Sequence, residues 1–226
     1  MNFQGSFAKI GDVDTEQLAS LAGQIGEEEW EADLFRQNRY EVHRDTQTVG
    51  LVFDPDYRHS HPTRLPMLQR FESALRPVLE MVADHFEESE KGRTLIEQFG
   101  MGYFVRASVV RLRAGGIITP HTDNNFSLAH SHRVHVPIVT NEQVLFAVGS
   151  QTIHMGVGEI YEINNRRNHS VMNRGDSGRI HLILDFVLPG EQCCCGKLLH
   201  PHTLCSPVAC RDTDYLKIPC RCYPEY

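Results

Sequence analysis

Arg133-Val134-His135-Val136-Pro137-Ile138 and Arg179-Ile180-His181-Leu182-Ile183-Leu184-Asp185 repeat one pattern, Arg-x-His interleaved with aliphatic residues. Side chains of a β-strand point alternately to its two faces, so each run reads as a strand with Val, Ile or Leu on one face and Arg and His on the other. Outward from these runs, Tyr103 to Arg113, Ile117 to His121, Gln143 to Val148, Gln151 to Met155, Glu159 to Ile163 and His169 to Asn173 are further β-forming stretches. Glycine-bearing turns separate them at Gly115-Gly116, Gly149-Ser150 and Arg174 to Gly178. About eight short strands joined by tight turns predict a β-sandwich or jelly roll rather than an α/β fold.

His121-Thr122-Asp123 opens this region, and two side chains two residues apart on a strand reach the same point. An imidazole and a carboxylate supply two metal ligands. His169, which follows the polar run Asn164-Asn165-Arg166-Arg167-Asn168, is the natural third. Two histidines and one carboxylate form the facial triad of non-haem Fe(II), which leaves positions open for a cosubstrate and O2. Catalytic zinc is the competing occupant of such a donor set.

The faces carrying Arg133 with His135 and Arg179 with His181 present cationic or neutral donors until Asp185. A solvated face usually mixes acids and bases. Guanidinium forks match carboxylates, so these strands beside a metal read as a pocket for a small dianion, and 2-oxoglutarate fits. Asn124 to His132 lies between the metal strand and the Arg133 strand and is expected to overhang the open coordination positions as a loop. Asn124, Asn125, His130 and His132 are therefore substrate-recognition candidates, with Arg44 a further one among Arg39, Tyr40, His43 and Arg44 upstream.

The order His121-Thr122-Asp123, Arg133 to Ile138, Val144-Leu145-Phe146, Gly158-Glu159-Ile160, Asn164-Asn165 with His169-Ser170-Val171, and Arg179 to Asp185 resembles the aspartyl/asparaginyl β-hydroxylase family of 2-oxoglutarate oxygenases. That family includes bacterial free-proline hydroxylases. The likeness runs roughly from Val105 to Val187. It implies a mainly β fold, a double-stranded β-helix (cupin-like jelly roll) with N-terminal helices packed on one sheet. It implies Fe(II) on His121, Asp123 and His169, and 2-oxoglutarate on Arg179, ten residues beyond His169, with Arg133, His135 and His181. O2 is the second cosubstrate, and the substrate is an amino acid, free or in a peptide. Two departures stand out: the animal aspartyl hydroxylases lack the carboxylate ligand that Asp123 supplies, and a serine they direct at 2-oxoglutarate appears here as Val109 or Val110. Two other readings fit the residues, a zinc or manganese jelly-roll enzyme that does not use 2-oxoglutarate and a non-catalytic ligand-binding jelly roll.

The 226 residues support one domain with a sizeable core. We divide them into a support region at 1–100 integrated with the core, a catalytic core at 101–188 and a Cys-rich tail at 189–226. A net charge of -7 argues against nucleic acid as partner. The chain shows neither a signal peptide nor an apolar stretch long enough to span a bilayer, and no membrane partner is expected. All 7 Cys fall between Cys193 and Cys222, so the rest of the chain suits a reducing compartment, and a cytoplasmic location is expected. The irregular spacing of these cysteines with His200 and His202 favours a loose tail over structural zinc. Oligomeric state leaves no trace in the sequence.

Upstream, Asp14 to Gly23 reads as a short helix, and Glu27 to Phe35 as a helix or turn that Trp30 anchors on the barrel. Thr46 to Phe53 reads as a strand, and Asp54 to Pro66 as a loop with His59 and His61 at its surface. The apolar positions Leu68, Phe71, Leu75, Val78, Leu79, Val82 and Phe86 predict an amphipathic helix over Pro66 to Glu88 that covers the back of the sheet, with Pro77 a point of kinking.

Overall fold

The computed structural model describes residues 5–32, 41–55, 57, 59, 62–123 and 126–191, and the backbone of 198–200 and 203–204. In chain order the elements are β1 (Phe7–Asp12), α1 (Glu16–Gly23), α2 (Glu27–Glu31), β2 (Thr46–Phe53), β3 (Thr63–Arg64), α3 (Leu68–Glu87), α4 (Glu90–Phe99), β4 (Tyr103–Leu112) and β5 (Ile117–His121). They continue with α5 (Phe126–Ala129), β6 (His132–Val139), β7 (Val144–Val148), β8 (Gln151–Ile153), β9 (Glu159–Ile163), β10 (His169–Asn173), β11 (Arg179–Val187), β12 (Leu198–His200) and β13 (Thr203–Leu204).

A seven-stranded antiparallel sheet in the order β1-β9-β6-β11-β4-β2-β3 faces a four-stranded sheet in the order β5-β10-β7-β8. The expected jelly roll with helices on one sheet is therefore the fold. Alternation explains how the large sheet is covered on both sides. Val134, Val136, Ile138, Leu182 and Leu184 pack with Phe71, Leu75, Val78 and Val82 of α3 and with Leu18 of α1. Burying each of these large side chains contributes about 1.5–3 kcal/mol. On the other face Leu112 and Ile163 meet Ile118, Phe146, Val148 and Val171 of the small sheet. The Arg-x-His faces thus lie inside the sandwich, next to a second apolar cluster, rather than on a polar outer face.

Trp30 is buried and lies under the guanidinium of Arg111, 4.7 Å from ring centroid to Cζ, so it anchors the N-terminal segment on β4 as expected. At the predicted hairpin, Gly149 adopts φ 57°, a conformation glycine enters without steric cost, and β7 turns into β8. Helix α3 runs through Pro77.

Several expectations are corrected. β1 pairs with β9 across a register shift between Lys9 and Gly11, although its sequence carries no strand signal beyond Phe7, Ala8 and Ile10. α4 follows α3 directly, capped by the Ser89 side chain accepting from Gly92 N at 2.9 Å; the sequence reading ended its helix at Glu88. His59 is buried, not at the surface, and its Nε2 sits 3.0 Å from the Ser127 carbonyl. Burial pushes its pKa down to about 4. His61 lies outside the described residues, as do Arg39, Tyr40 and the seven cysteines of the tail.

Where β11 leaves the barrel, Glu191 accepts from Lys91 Nζ at 2.6 Å and meets His132 Nε2 at 2.8 Å, while His132 Nδ1 meets Glu162 at 2.7 Å. Burial alone would raise the Glu191 carboxyl, but His132 and Lys91 outweigh it and hold it well below the usual range. A depressed carboxyl stabilises the fold above its ordinary value of 4.5, and that contribution is lost as the pH falls further. Glu191→Gln is expected to cost roughly 1–3 kcal/mol at neutral pH. Denaturant titrations across the acid range check this: the gap between wild type and variant narrows below pH 4.5, whereas a gap constant with pH contradicts it.

Candidate active site

Register brings the three candidate metal donors together. β10 pairs with β5 so that His169 stands directly opposite His121, with ring centroids 4.3 Å apart. Asp123 lies just past the end of β5 rather than within it. Its backbone N–H donates to the Asn165 carbonyl at 3.0 Å, which ties it to the approach to β10. One donor atom from each of His121, Asp123 and His169 lies within 4.8 Å of the others, as shared coordination requires.

Both imidazoles are aimed by their own strands. His121 Nδ1 donates to the Thr119 carbonyl at 2.8 Å and His169 Nδ1 to the Arg167 carbonyl at 3.1 Å. This sets the tautomer and leaves each Nε2 lone pair for a metal. His169 is buried, and burial, partly offset by Asp123, pushes its pKa down to about 4. At neutral pH it offers its lone pair without first losing a proton. The donor set of two nitrogens and a carboxylate oxygen fits Fe(II).

Arg133 departs from expectation. Its Nε and Nη2 donate to the two oxygens of Asp185, both at 2.9 Å, and its Nη1 donates to Asp123 at 2.7 Å. All three contacts go to carboxylates of the chain, which hold the guanidinium well above its ordinary pKa despite burial. Arg133 therefore orients the Asp123 carboxylate, together with Asn165 Nδ2 at 3.2 Å, instead of offering a fork to a dianion. Asp185, which ended the cationic face in the sequence, is the residue that makes this so.

Arg179 differs. It is 1% exposed, and its Nε and Nη1 are buried without a hydrogen-bond partner among the described residues. Burial pushes its pKa down to about 9, with no carboxylate among the described residues opposing it. His181, two residues along the same face, also has a buried Nε2 without a partner among them. Its Nδ1 is 3.4 Å from Nδ1 of His135, and burial and the nearby arginines keep both rings neutral. An uncompensated buried cation is costly, so a seat of this kind fits a carboxylate ligand. Ser108 pairs with Ile183 on the same inner face, so a hydroxyl does lie on the strand where the sequence showed only Val109 and Val110.

The substrate candidates are scattered. Asn124 and Asn125 lie outside the described residues. The rest of that segment is not a loop: α5 occupies it, His130 is buried, and His132 begins β6, stacks on Phe86 at 4.1 Å and is held by two glutamates. His132 thus belongs to the clamp at the barrel exit. Arg44 is exposed, 4.0 Å from Asp45. Arg106 went unnoticed, because only cross-strand register puts it beside Asp185.

A jelly roll with two histidines and a carboxylate at one end and a buried lone guanidinium on the same inner surface has the constitution of a 2-oxoglutarate- and Fe(II)-dependent oxygenase. The family model described as aspartyl/asparaginyl β-hydroxylase matches residues 82–189, from the last turns of α3 through β11. That region is similar to the aspartyl/asparaginyl β-hydroxylase family, and its description together with the fold indicates a hydroxylating oxygenase. No curated protein matches the sequence. Among solved structures, an oxidoreductase of the 2OG-Fe(II) oxygenase family from Burkholderia pseudomallei is similar at 15% identity and TM-score 0.50, over 63% of this chain and 67% of that one. A Pseudomonas putida prolyl-4-hydroxylase aligns over 83% of this chain and 95% of that one at 10% identity and TM-score 0.48. A viral collagen prolyl hydroxylase from Paramecium bursaria Chlorella virus-1 aligns over 81% and 96% at 11% identity and TM-score 0.47. At 15% identity the likeness to the Burkholderia pseudomallei oxidoreductase is one of fold. Among the described residues no helix is long and apolar enough to cross a membrane.

Proposed function

We propose that the chain hydroxylates an unactivated C–H bond of an amino acid, free or within a peptide, using Fe(II), 2-oxoglutarate and O2. His121, Asp123 and His169 hold the metal, and Arg179 takes the far carboxylate of 2-oxoglutarate, with His181 and His135 beside it. The observation that carries this reading is the lone Arg179 guanidinium on the inner face of the barrel that also carries the donor trio. A zinc or manganese hydrolase has no use for a buried cation without a counter-charge, and a non-catalytic ligand-binding jelly roll gives no reason for three aimed donors.

When bound, Fe(II) with 2-oxoglutarate supplies O2 activation coupled to oxidative decarboxylation to succinate and CO2. The chain contributes geometry and exclusion of water. Arg133 and Asn165 fix the Asp123 carboxylate, backbone carbonyls fix both imidazoles, and His135 and His181 stay neutral, so the positive charge beside them is that of Arg179. The family description supports an amino-acid substrate, which is the class we assign.

The test is succinate release from the Fe(II)-loaded chain with 2-oxoglutarate across a panel of amino acids and peptides. The expected result is one or a few compounds that stimulate release and gain a hydroxyl group in equal amount. Succinate release that no member stimulates, or activity indifferent to 2-oxoglutarate with zinc as the retained metal, overturns it.

A further inference from the structure

β6 opens with His132-Arg133, two neighbours that alternation sends to opposite faces of the large sheet. Arg133 points into the sandwich, to Asp123 and Asp185, and His132 points to the helix side. There Phe86 of α3 stacks on the His132 ring at 4.1 Å and also on Phe186, the residue opposite His132 on β11. Both ring nitrogens are engaged, Nδ1 by Glu162 of β9 at 2.7 Å and Nε2 by Glu191 beyond the end of β11 at 2.8 Å. Lys91 of α4 donates to the other Glu191 oxygen at 2.6 Å. Four separate parts of the fold thus converge on one strand residue. An imidazole gripped at both nitrogens and on one ring face cannot turn, so the start of β6 cannot tilt without breaking a buried polar contact.

The metal carboxylate depends on that strand end. Asp123 has no strand of its own: it lies past β5, at the head of a segment that carries α5 and joins β6 at His132. Within the segment Asn165 Nδ2 donates to Asp123 at 3.2 Å and to the Leu128 carbonyl at 2.9 Å, and the Ser131 hydroxyl donates to the Ser127 carbonyl at 3.0 Å. The His132 clamp closes its far end. Arg133, one peptide further on, reaches back to Asp123 at 2.7 Å. A displacement of the β6 start therefore reaches Asp123 by two routes, the segment itself and the Arg133 guanidinium. Hydrogen bonds weaken steeply with angle, so a small tilt is enough to spoil the aim of the carboxylate.

We propose that the His132 clamp is a positioning device for the metal site: by fixing the start of β6, His132 with Glu162, Glu191 and Lys91 holds Arg133 where it aims Asp123, so loosening the clamp weakens metal binding. His132 is a positioning residue that acts through Arg133 and the segment behind it, not a ligand. The proposal rests on the reading that His121, Asp123 and His169 hold a metal. It also ties the metal site to Glu191, the last described residue before the Cys-rich tail.

Anaerobic titration of the purified full chain with Fe(II) against a chromophoric chelator tests it, with Zn(II) as a second metal. Glu191→Gln and His132→Gln are expected to weaken binding of both metals roughly 3- to 10-fold, less than the roughly 10- to 100-fold expected when Arg133, a direct partner of a ligand, is lost. Lys91→Met, at the exposed end of the clamp, is the mild variant that keeps the fold, with a smaller effect of the same sign. Because the clamp and Arg133 act on one path, Glu191→Gln added to Arg133→Met should lower affinity by less than it does alone. If that double variant does not fold, Lys91→Met in the Arg133→Met background reads the same coupling. Val78→Ala, in the α3 core about two turns before Phe86, is the control: it lowers stability and is expected to bind metal as wild type does. A purely structural clamp would make the clamp variants behave like this control, and that result overturns the proposal, as do fully additive losses with Arg133→Met. Failure of the oxygenase reading looks different: wild type then binds Zn(II) and ignores 2-oxoglutarate, and the Zn(II) arm still judges the clamp. Wild type that binds neither metal overturns both.

Discussion

Arg179→Met is expected to melt at a higher temperature than wild type and to lose all response to 2-oxoglutarate. Arg179 is 1% exposed and two of its N–H donors are unmatched among the described residues, so the ligand-free fold carries a buried charge that no described residue in contact compensates. Replacing buried charge with apolar volume commonly stabilises a fold by roughly 1–4 kcal/mol. In a chain of this size that corresponds to a rise of several degrees, at about 2–4 °C per kcal/mol. Wild type should instead gain about 2.7 kcal/mol from 2-oxoglutarate at a hundredfold excess over Kd. Arg179→Lys keeps the charge but not the fork, so it retains only part of the ligand response. Differential scanning calorimetry with and without 2-oxoglutarate reads both effects. A variant that melts lower and is still stabilised by 2-oxoglutarate removes Arg179 from the cosubstrate seat.

Asp123→Ala is expected to abolish metal binding and to lower stability as well. Its carboxylate is both a donor and one of two counter-charges to Arg133, 2.7 Å away. Arg133→Met gives an informative contrast. It leaves all three donors in place but removes the group that aims Asp123, so metal affinity should fall roughly 10–100-fold without being abolished. Because Asp123 and Asp185 then lose a buried partner, the fold should also weaken by about 3–5 kcal/mol. Metal content after dialysis against graded chelator, measured by atomic emission, separates the two. Equal metal loss in both variants contradicts the division of roles between ligand and orienting residue.

These contrasts show what was legible in the chain. Alternation in Arg133 to Ile138 and Arg179 to Leu184 was enough to give the strands and their inner faces, because strand period is local. The convergence of His121, Asp123 and His169 was also readable, since His121 and Asp123 are near neighbours and His169 follows a turn. The partner of Arg133 was not readable. It depends on Asp185 standing opposite it in a ladder formed 52 residues away along the chain, and on register that no local pattern specifies. His59, His130 and His132 looked like loop residues because histidine carries no burial signal, and their burial depends on packing from α3, α5 and the barrel exit. β1 was missed because a short edge strand with Lys9 and Gly11 has little β-propensity and is held by its partner β9. Arg106 alternates with apolar residues in the sequence, and only cross-strand register shows that it stands opposite Asp185.

The most direct measurement is the visible absorption spectrum of the purified chain with Fe(II) and 2-oxoglutarate in the absence of O2. The account predicts a metal-to-ligand charge-transfer band that appears only when both are present, vanishes in Asp123→Ala and requires far more 2-oxoglutarate in Arg179→Met. Well-folded wild-type protein that shows no such band at saturating Fe(II) and 2-oxoglutarate contradicts it.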